Sequence, residues 1–146
     1  MTSAAVEVRE LRAEDEPELA RLAAEALAPQ IEGASVRAET GRALATAERD
    51  VVFVADAGGH LAGYVALRPQ GDALLLEQLA VAEIDQGQRV GHRLLDWAEG
   101  YGVSQGLACL RVRVAPDDRR ARDFYARRGY LPSGEDTVER ALAHEE

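Results

Sequence analysis

The chain contains no lysine and no asparagine, and all 17 of its basic residues are arginine. A coding bias of a GC-rich genome accounts for this composition. A Walker A phosphate loop requires a lysine, and so does an enzyme that forms a Schiff base through a lysine side chain. The sequence therefore excludes both of these protein classes.

Cysteine and long apolar runs are also scarce. Cys109 is the only cysteine, which excludes an internal disulfide and a cysteine-rich zinc site. The three histidines lack metal-ligand spacing, so we expect no bound metal. No apolar run approaches the roughly 20 residues of a membrane span, and the N-terminal residues show neither a basic start nor an apolar signal segment. We therefore expect a cytoplasmic protein that does not bind a membrane.

Charge is unevenly distributed along the 146 residues, which carry a formal net charge of −9. Residues 86–130 hold nine arginines and five acidic residues, whereas the rest of the chain holds eight arginines and 21 acidic residues. A basic segment within an acidic body suits a small polyanion that is bound locally, with acidic surface left for a cationic partner. The overall negative charge disfavours nucleic-acid binding, which we do not expect.

Hydrophobic periodicity predicts a single α/β domain over residues 1–146, without linkers or repeats. Helices are predicted over 11–28, 35–48, from 89 toward the glycines at 100–106, and from 117 or 118 to 128, where Asp117 or Asp118 can cap the helix. Strands are predicted over 6–8, 51–55, 60–67, 73–81, 107–114, 130–131 and 137–142, with turns at 58–59 and 69–72. The strand over 107–114 is predicted to alternate, with Leu110, Val112 and Val114 on one face and Arg111 and Arg113 on the other. The buried stripe of the third helix is predicted to comprise Val90, Leu94, Trp97, Ala98 and Tyr101.

One candidate motif, Gln-Gly-Gln-Arg-Val-Gly-His over residues 86–92, lies between a predicted strand and a predicted helix. Backbone N–H groups at a helix start have no partner within the helix and lie at the positive end of its dipole, so they bind phosphate oxygens well. Arg89 and Arg93 add positive charge. Taken alone, the segment is an ordinary glycine-containing turn, but its placement favours anion binding.

A second candidate motif contains Tyr125, on the predicted helix that follows the strand over 107–114. Its phenol, with an unperturbed pKa of about 10, stays protonated at neutral pH and could act as a general acid. The alternative is simple core packing, which is the commoner role of a single tyrosine on a helix.

Together the two segments resemble the GNAT superfamily of acyl-CoA-dependent N-acyltransferases. Gln86 and Gly91 match its acyl-CoA signature, although Arg89 stands where glycine is usual. Asp118 stands where asparagine is common in the second signature, whose other positions are matched by Ala121, Tyr125, Gly129 and Tyr130. The order of elements also matches over nearly the whole chain. The resemblance implies a mixed, mostly antiparallel central sheet of about seven strands flanked by four helices.

The resemblance further implies that acetyl-CoA is the acyl donor and that a primary amine attacks its thioester directly. Tyr125 would protonate the departing thiolate, and Asp118 and Tyr125 would belong to the donor site. Backbone groups of β-strand residues Leu79, Ala80 and Val81 would pair with the pantetheine arm. The pyrophosphate would bind the amides of Gln86, Gly87, Gln88, Arg89, Val90, Gly91 and His92.

A base is also required, because the attacking amine must be neutral. Glu77, on the strand that leads into the implied site, is the candidate base and would act through water. The alternative for Glu77 is a charged residue on a solvated strand face. Arg113 stands where some relatives of the superfamily place a base, and it cannot serve.

The acidic remainder of the chain favours a cationic acceptor, such as a polyamine, an amino sugar, an amine metabolite or a protein amine. The resemblance leaves open whether the acyl chain is longer than acetyl. It also leaves open whether the protein forms a homodimer. It also leaves open a different function, in which a GNAT-like domain binds acyl-CoA without transferring the acyl group.

Overall fold

The computed structural model describes residues 6–27, 51–82 and 89–142 of the chain. Its elements are, in chain order, β1 (Glu7–Glu10), a 3-10 turn (Ala13–Asp15), α1 (Glu16–Leu27), β2 (Val51–Asp56), β3 (Leu61–Gln70), β4 (Ala73–Val81), α2 (Val90–Ser104), β5 (Cys109–Arg113), α3 (Arg119–Arg127), β6 (Leu131–Pro132) and β7 (Thr137–Ala141). The helix predicted over 35–48 lies outside the described residues.

The seven strands form one sheet in the order β1-β2-β3-β4-β5-β7-β6. Strands β4 and β5 are parallel, whereas β1–β2, β5–β7 and β6–β7 are antiparallel pairs. The predicted α/β architecture with a mixed, mostly antiparallel sheet is therefore confirmed. In the described parts of the chain, three α-helices accompany the sheet, and none of them is long and apolar enough to cross a membrane.

The turn between β2 and β3 forms where two consecutive glycines follow a strand. Gly58 and Gly59 have φ angles of +73° and +107°, which side chains with a Cβ disfavour. The Asp56 carboxylate accepts a hydrogen bond from the Gly59 N–H at 2.9 Å, and the Ala57 N–H donates to the His60 carbonyl at 2.8 Å. The glycine pair thus sets the turn that the sequence predicts.

Strand β3 is longer than predicted. The turn expected over 69–72 begins only at Gly71, whose φ of +63° suits glycine, and β3 continues through Pro69 to Gln70. Proline is tolerated there because Pro69 and Gln70 are exposed at the end of the strand, where a missing N–H leaves no buried partner unsatisfied. The prediction that Pro69 ends the strand was wrong.

Contacts within the chain divide it into two compact units. The first unit comprises Met1–Ala66 with Gln78–Trp97, and the second comprises Leu67–Glu77 with Ala98–Glu146. In the first unit, α1 packs its apolar stripe on the strands, as the helical spacing predicts. The buried cluster there comprises Leu19, Leu22, Val52, Val54, Leu61, Tyr64, Ala66, Ala80 and Ala82.

An arginine ties β1 to the 3-10 turn in the first unit. Arg9 donates from Nη1 and Nη2 to the two carboxylate oxygens of Asp15, at 2.8 and 3.0 Å, and from Nε to Asp56 at 3.2 Å. The Arg12 N–H donates to the same Asp15 carboxylate at 2.7 Å. The hydrogen bond from Arg9 lowers the pKa of Asp15 below its usual value, and this effect outweighs the opposing effect of burial.

The second unit contains β5, α3 and the β6–β7 hairpin. Leu110, Val112 and Val114 are buried, whereas Arg111 is half-buried and Arg113 is exposed, so the predicted alternation along this strand is confirmed. Other buried side chains of the unit are those of Leu67, Ala73, Leu74, Leu75, Leu76, Ala98, Tyr125, Tyr130, Val138 and Leu142.

The buried stripe of α2 is rotated relative to the prediction. Leu94, Leu95 and Ala98 are fully buried, whereas Trp97 remains 45% exposed, so its placement in the buried stripe was wrong. Leu95 lies on the side of the helix away from Trp97. Because Leu95 is buried, the buried face is centred farther from Trp97 than predicted, and Trp97 lies at the edge of that face. The long indole still reaches Phe53 in an edge-to-face contact with ring centroids 5.7 Å apart.

Candidate active site

The start of α2 carries the predicted anion-binding residues that the structure describes. Arg89 immediately precedes the helix, and its carbonyl accepts the N–H of Arg93 at 3.1 Å. Val90 is buried, Gly91 and His92 are half-buried, and Arg89 and Arg93 are exposed. The first turn of a helix has backbone N–H groups that can bind an anion. Gln86, Gly87 and Gln88 lie outside the described residues.

Arg89 adopts a backbone conformation that favours glycine. Its φ is +63°, which makes it the one residue other than glycine with a positive φ in the described parts of the chain. A side chain with a Cβ costs about 1–2 kcal/mol in this left-handed region. The structure thus gives a physical reason for the glycine that is usual at this position, and this chain places a strained arginine there.

Strand β4 carries the second predicted donor segment. Its parallel register with β5 runs from Ala73↔Cys109 to Leu76↔Val112, and β4 continues for five residues after the last of these pairs. The segment over 79–81 lies in this continuation, in the first unit, where Ala80 is buried and its two neighbours are half-buried.

Tyr125 lies on α3 in the second unit and is 5% exposed. Its ring makes edge-to-face contacts with Phe124 and Tyr130, with centroid distances of 5.1 and 5.4 Å. Burial, and then the negative charge of Asp118, raise the pKa of Tyr125 above its usual value. The phenol therefore carries its proton throughout the neutral pH range, as a general acid requires.

Asp118 and Arg122 fix the helix that bears Tyr125. The Asp118 carboxylate caps α3 by accepting the Ala121 N–H at 3.1 Å. The guanidinium of Arg122 donates to three backbone carbonyls, those of Val114, Ala115 and Glu135, at 3.3, 3.2 and 2.6 Å. Asp118 therefore has the capping role that the sequence suggests. Nothing in the sequence pattern indicates the role of Arg122, because its partners are carbonyl groups of other segments.

A charged network of the second unit holds Tyr130, which packs against Tyr125. The Tyr130 hydroxyl donates to the Glu99 carboxylate at 2.7 Å, and Arg128 and Arg140 approach the same carboxylate at 3.4 and 3.3 Å. Burial, and then the hydrogen bond to Glu99, raise the pKa of Tyr130 above its usual value. The sequence analysis missed this network, whose members lie 29 to 41 residues from Glu99.

Glu77, the candidate base, forms an ion pair within the second unit. Its carboxylate lies 3.4 Å from Nη1 of Arg68, and its side chain is 24% exposed. The predicted residues therefore lie in two different units. The segment over 79–81 and the start of α2 lie in the first unit, whereas Glu77, Asp118 and Tyr125 lie in the second.

The chain is similar to known proteins in sequence and in fold. The model of the Acetyltransferase (GNAT) family matches residues 7–130. No curated protein sequence matches the chain.

Solved structures with the same fold include the PaiA N-acetyltransferase from Thermoplasma acidophilum in complex with coenzyme A. It has a TM-score of 0.80 and 21% identity, over 94% of this chain and 99% of that one. The ribosomal-protein-S18-alanine N-acetyltransferase from Escherichia coli has a TM-score of 0.77 and 18% identity, over 97% of both chains. A GNAT family acetyltransferase from Brucella melitensis in complex with acetyl-CoA has a TM-score of 0.74 and 17% identity, over 98% of this chain and 92% of that one.

At these identities, the structural likeness establishes the fold. The family match covers most of the chain. It includes the start of α2 and the helix α3 that carries the buried Tyr125. The chain therefore belongs to the acetyltransferase (GNAT) family and is an acyltransferase of that type.

Proposed function

We propose that the protein transfers the acetyl group of acetyl-CoA to a primary amine by direct attack, with Tyr125 as the general acid. The environment of Tyr125 carries this proposal. In this chain of the GNAT family, the Tyr125 side chain is a buried, protonated phenol. It lies on a helix that Asp118 caps and Arg122 anchors. Such fixed placement of a proton donor is what general acid catalysis requires.

Two features of the first unit support acetyl-CoA as the donor. The start of α2 offers helix N–H groups beside the exposed Arg89 and Arg93, which suits a pyrophosphate. The end of β4 extends beyond its last pair with β5, which suits backbone pairing to a pantetheine arm. The Thermoplasma protein of the same fold was crystallised with coenzyme A, and the Brucella protein with acetyl-CoA.

In the proposed reaction, the amine nitrogen attacks the thioester carbonyl carbon, and the carbon–sulfur bond then breaks. Tyr125 gives its proton to the departing thiolate and regains one from solvent. The nitrogen loses a proton through water to a base, for which Glu77 is our candidate. The products are an N-acetylated amine and free coenzyme A, so that no covalent enzyme intermediate forms.

We propose a cationic amine as the acceptor, because 21 of the 26 acidic residues lie outside residues 86–130. The relative from Escherichia coli acts on the alanine of a ribosomal protein, which shows that this fold accommodates a protein amine. An acidic surface would attract either a protein of positive charge or a small polyamine.

Substitution of Tyr125 by phenylalanine tests the proposal, because it removes the hydroxyl and keeps the ring contacts. We expect kcat to fall about 100-fold or more, as for loss of a general acid, while the Kd for acetyl-CoA stays unchanged. The Tyr101→Phe variant is the matched control, since it removes a phenol from a half-buried ring of α2. Unchanged turnover in Tyr125→Phe would refute the acid role.

Acyl-CoA binding without transfer, the alternative stated above, is tested by the release of coenzyme A. This alternative predicts acetyl-CoA binding without release of coenzyme A for any amine in a broad panel. Release of coenzyme A that depends on one amine would exclude it.

A further inference from the structure

Gly63 is the third residue of β3, and the space around it explains why the strand has a glycine there. Its φ is not in the positive range, so its backbone conformation is open to any residue. It is flanked by the buried residues Ala62 and Tyr64. An isolated glycine within a strand often marks a close approach of another segment.

Two segments of the first unit approach Gly63 closely. A methyl group at this position would lie 2.6 Å from the carbonyl oxygen of Ala80, 3.0 Å from Cδ1 of Leu94 and 3.3 Å from Cγ1 of Val90. The first of these contacts is far too short, and its partner is a backbone atom in a strand. A backbone atom of β4 cannot move aside in the way that the end of a side chain can.

Two of these neighbours, Ala80 and Val90, belong to the two donor segments. Ala80 is the central residue of the predicted pantetheine segment, and Val90 is the first residue of α2. All three neighbours are buried, with exposures of 6% for Ala80, 1% for Val90 and 0% for Leu94. The hydrogen bond from the Ala82 N–H to the Ala62 carbonyl, at 2.7 Å, holds β4 against β3 beside this point.

We propose that Gly63 is a positioning residue for the acyl donor. Its missing side chain lets the Ala80 backbone and the first turn of α2 pack against the same point of β3. Gly63 thereby sets the distance between the strand that would pair with the pantetheine arm and the helix start that would bind the pyrophosphate. This inference rests on the proposed function, since both segments matter only if acetyl-CoA is bound there.

A side chain at residue 63 would change that distance, and a ligand that contacts both segments would detect the change. Displacement of binding groups by about 1 Å can reduce an enzyme's efficiency roughly 100-fold. We therefore expect Gly63→Ala to raise the Kd and the KM for acetyl-CoA about tenfold or more. The KM for the amine should change much less.

Two glycines of α2, Gly100 and Gly102, provide matched controls for Gly63. A methyl group on Gly102 would lie 2.5 Å from Cδ1 of Leu142, which is the end of a flexible side chain in the second unit. A methyl group on Gly100 would meet nothing within 4 Å. The Gly102→Ala variant thus reproduces a steric conflict away from the donor segments, and Gly100→Ala reproduces the substitution without any conflict.

The experiment measures acetyl-CoA binding by calorimetry, and both KM values, for the wild type and the three alanine variants. We expect Gly102→Ala and Gly100→Ala to bind acetyl-CoA as the wild type does. A folded Gly63→Ala variant with the Kd of the wild type would overturn the inference. A wild type that does not bind acetyl-CoA would instead refute the proposed function.

If Gly63→Ala does not unfold cooperatively in buffer, the measurement is repeated with the osmolyte trimethylamine N-oxide, which favours the folded state. The Kd of Gly63→Ala is then compared with that of the wild type in the same osmolyte. A rise of about tenfold would support the positioning role, on the same argument from displaced binding groups. Equal Kd values would overturn it.

Discussion

Substitution of Arg89 offers a direct test of the strained start of α2. The φ of +63° costs a residue with a Cβ about 1–2 kcal/mol, and glycine avoids that cost. Glycine also loses more conformational entropy on folding, which offsets about 0.5–1 kcal/mol of the gain. We therefore expect Arg89→Gly to raise the free energy of unfolding by up to about 1.5 kcal/mol.

Comparison with Arg89→Ala isolates the backbone effect, because both variants lose the exposed guanidinium. Alanine keeps a Cβ in the left-handed region, so the glycine variant should be more stable by about 1 kcal/mol, or about 3 °C in Tm for a chain of this size. Chemical and thermal denaturation of the two purified variants measure the difference.

Gly100, inside α2, provides the opposite case. It lies in the interior of α2 with open space around its Cα, so Gly100→Ala should stabilise the protein by about 1 kcal/mol through helix propensity. Glycine should thus give the more stable protein at residue 89, and alanine the more stable protein at residue 100. An Arg89→Ala variant as stable as Arg89→Gly would refute the reasoning.

Two further predictions concern charged groups. Arg9 lowers the pKa of Asp15, so the stability that the carboxylate contributes is present above the unfolded pKa of about 3.9 and is lost as the pH falls through the folded value. Asp15→Asn should therefore cost about 1–3 kcal/mol at pH 7 and less in acid, and an equal loss at pH 7 and pH 3 would contradict this. Tyr130→Phe removes the 2.7 Å hydrogen bond to Glu99 and should cost about 1.5–3 kcal/mol. A double-mutant cycle with Glu99→Ala should show strong coupling, and additive effects would mean that the hydroxyl does not interact with the carboxylate.

The sequence predicted the order of the described elements because their apolar residues follow clear periods. The strand over residues 109–113 alternates buried and exposed side chains, and the Gly58–Gly59 pair has the positive φ angles that its turn requires. Local chemistry also predicted the Asp118 cap. These features depend on neighbouring residues, which a single sequence displays directly.

The features that escaped prediction depend on residues far apart in the chain. The exposure of Trp97 follows from the rotation of α2 on its neighbours, which helical spacing alone does not define. Arg122 binds carbonyl groups, which have no sequence signature. Gly63 carried a usable signal, since an isolated glycine in an apolar strand indicates close approach, but its partners Ala80 and Val90 are visible only in the fold.

The central claim is that this member of the family binds acetyl-CoA, and thermal unfolding with and without acetyl-CoA tests it most directly. At a concentration 100 times its Kd, a ligand of the folded state adds about 2.7 kcal/mol, which raises Tm by several degrees in a chain of this size. We predict such a rise with acetyl-CoA, and a much smaller one with adenosine monophosphate at the same concentration. An unchanged Tm at millimolar acetyl-CoA would contradict the account.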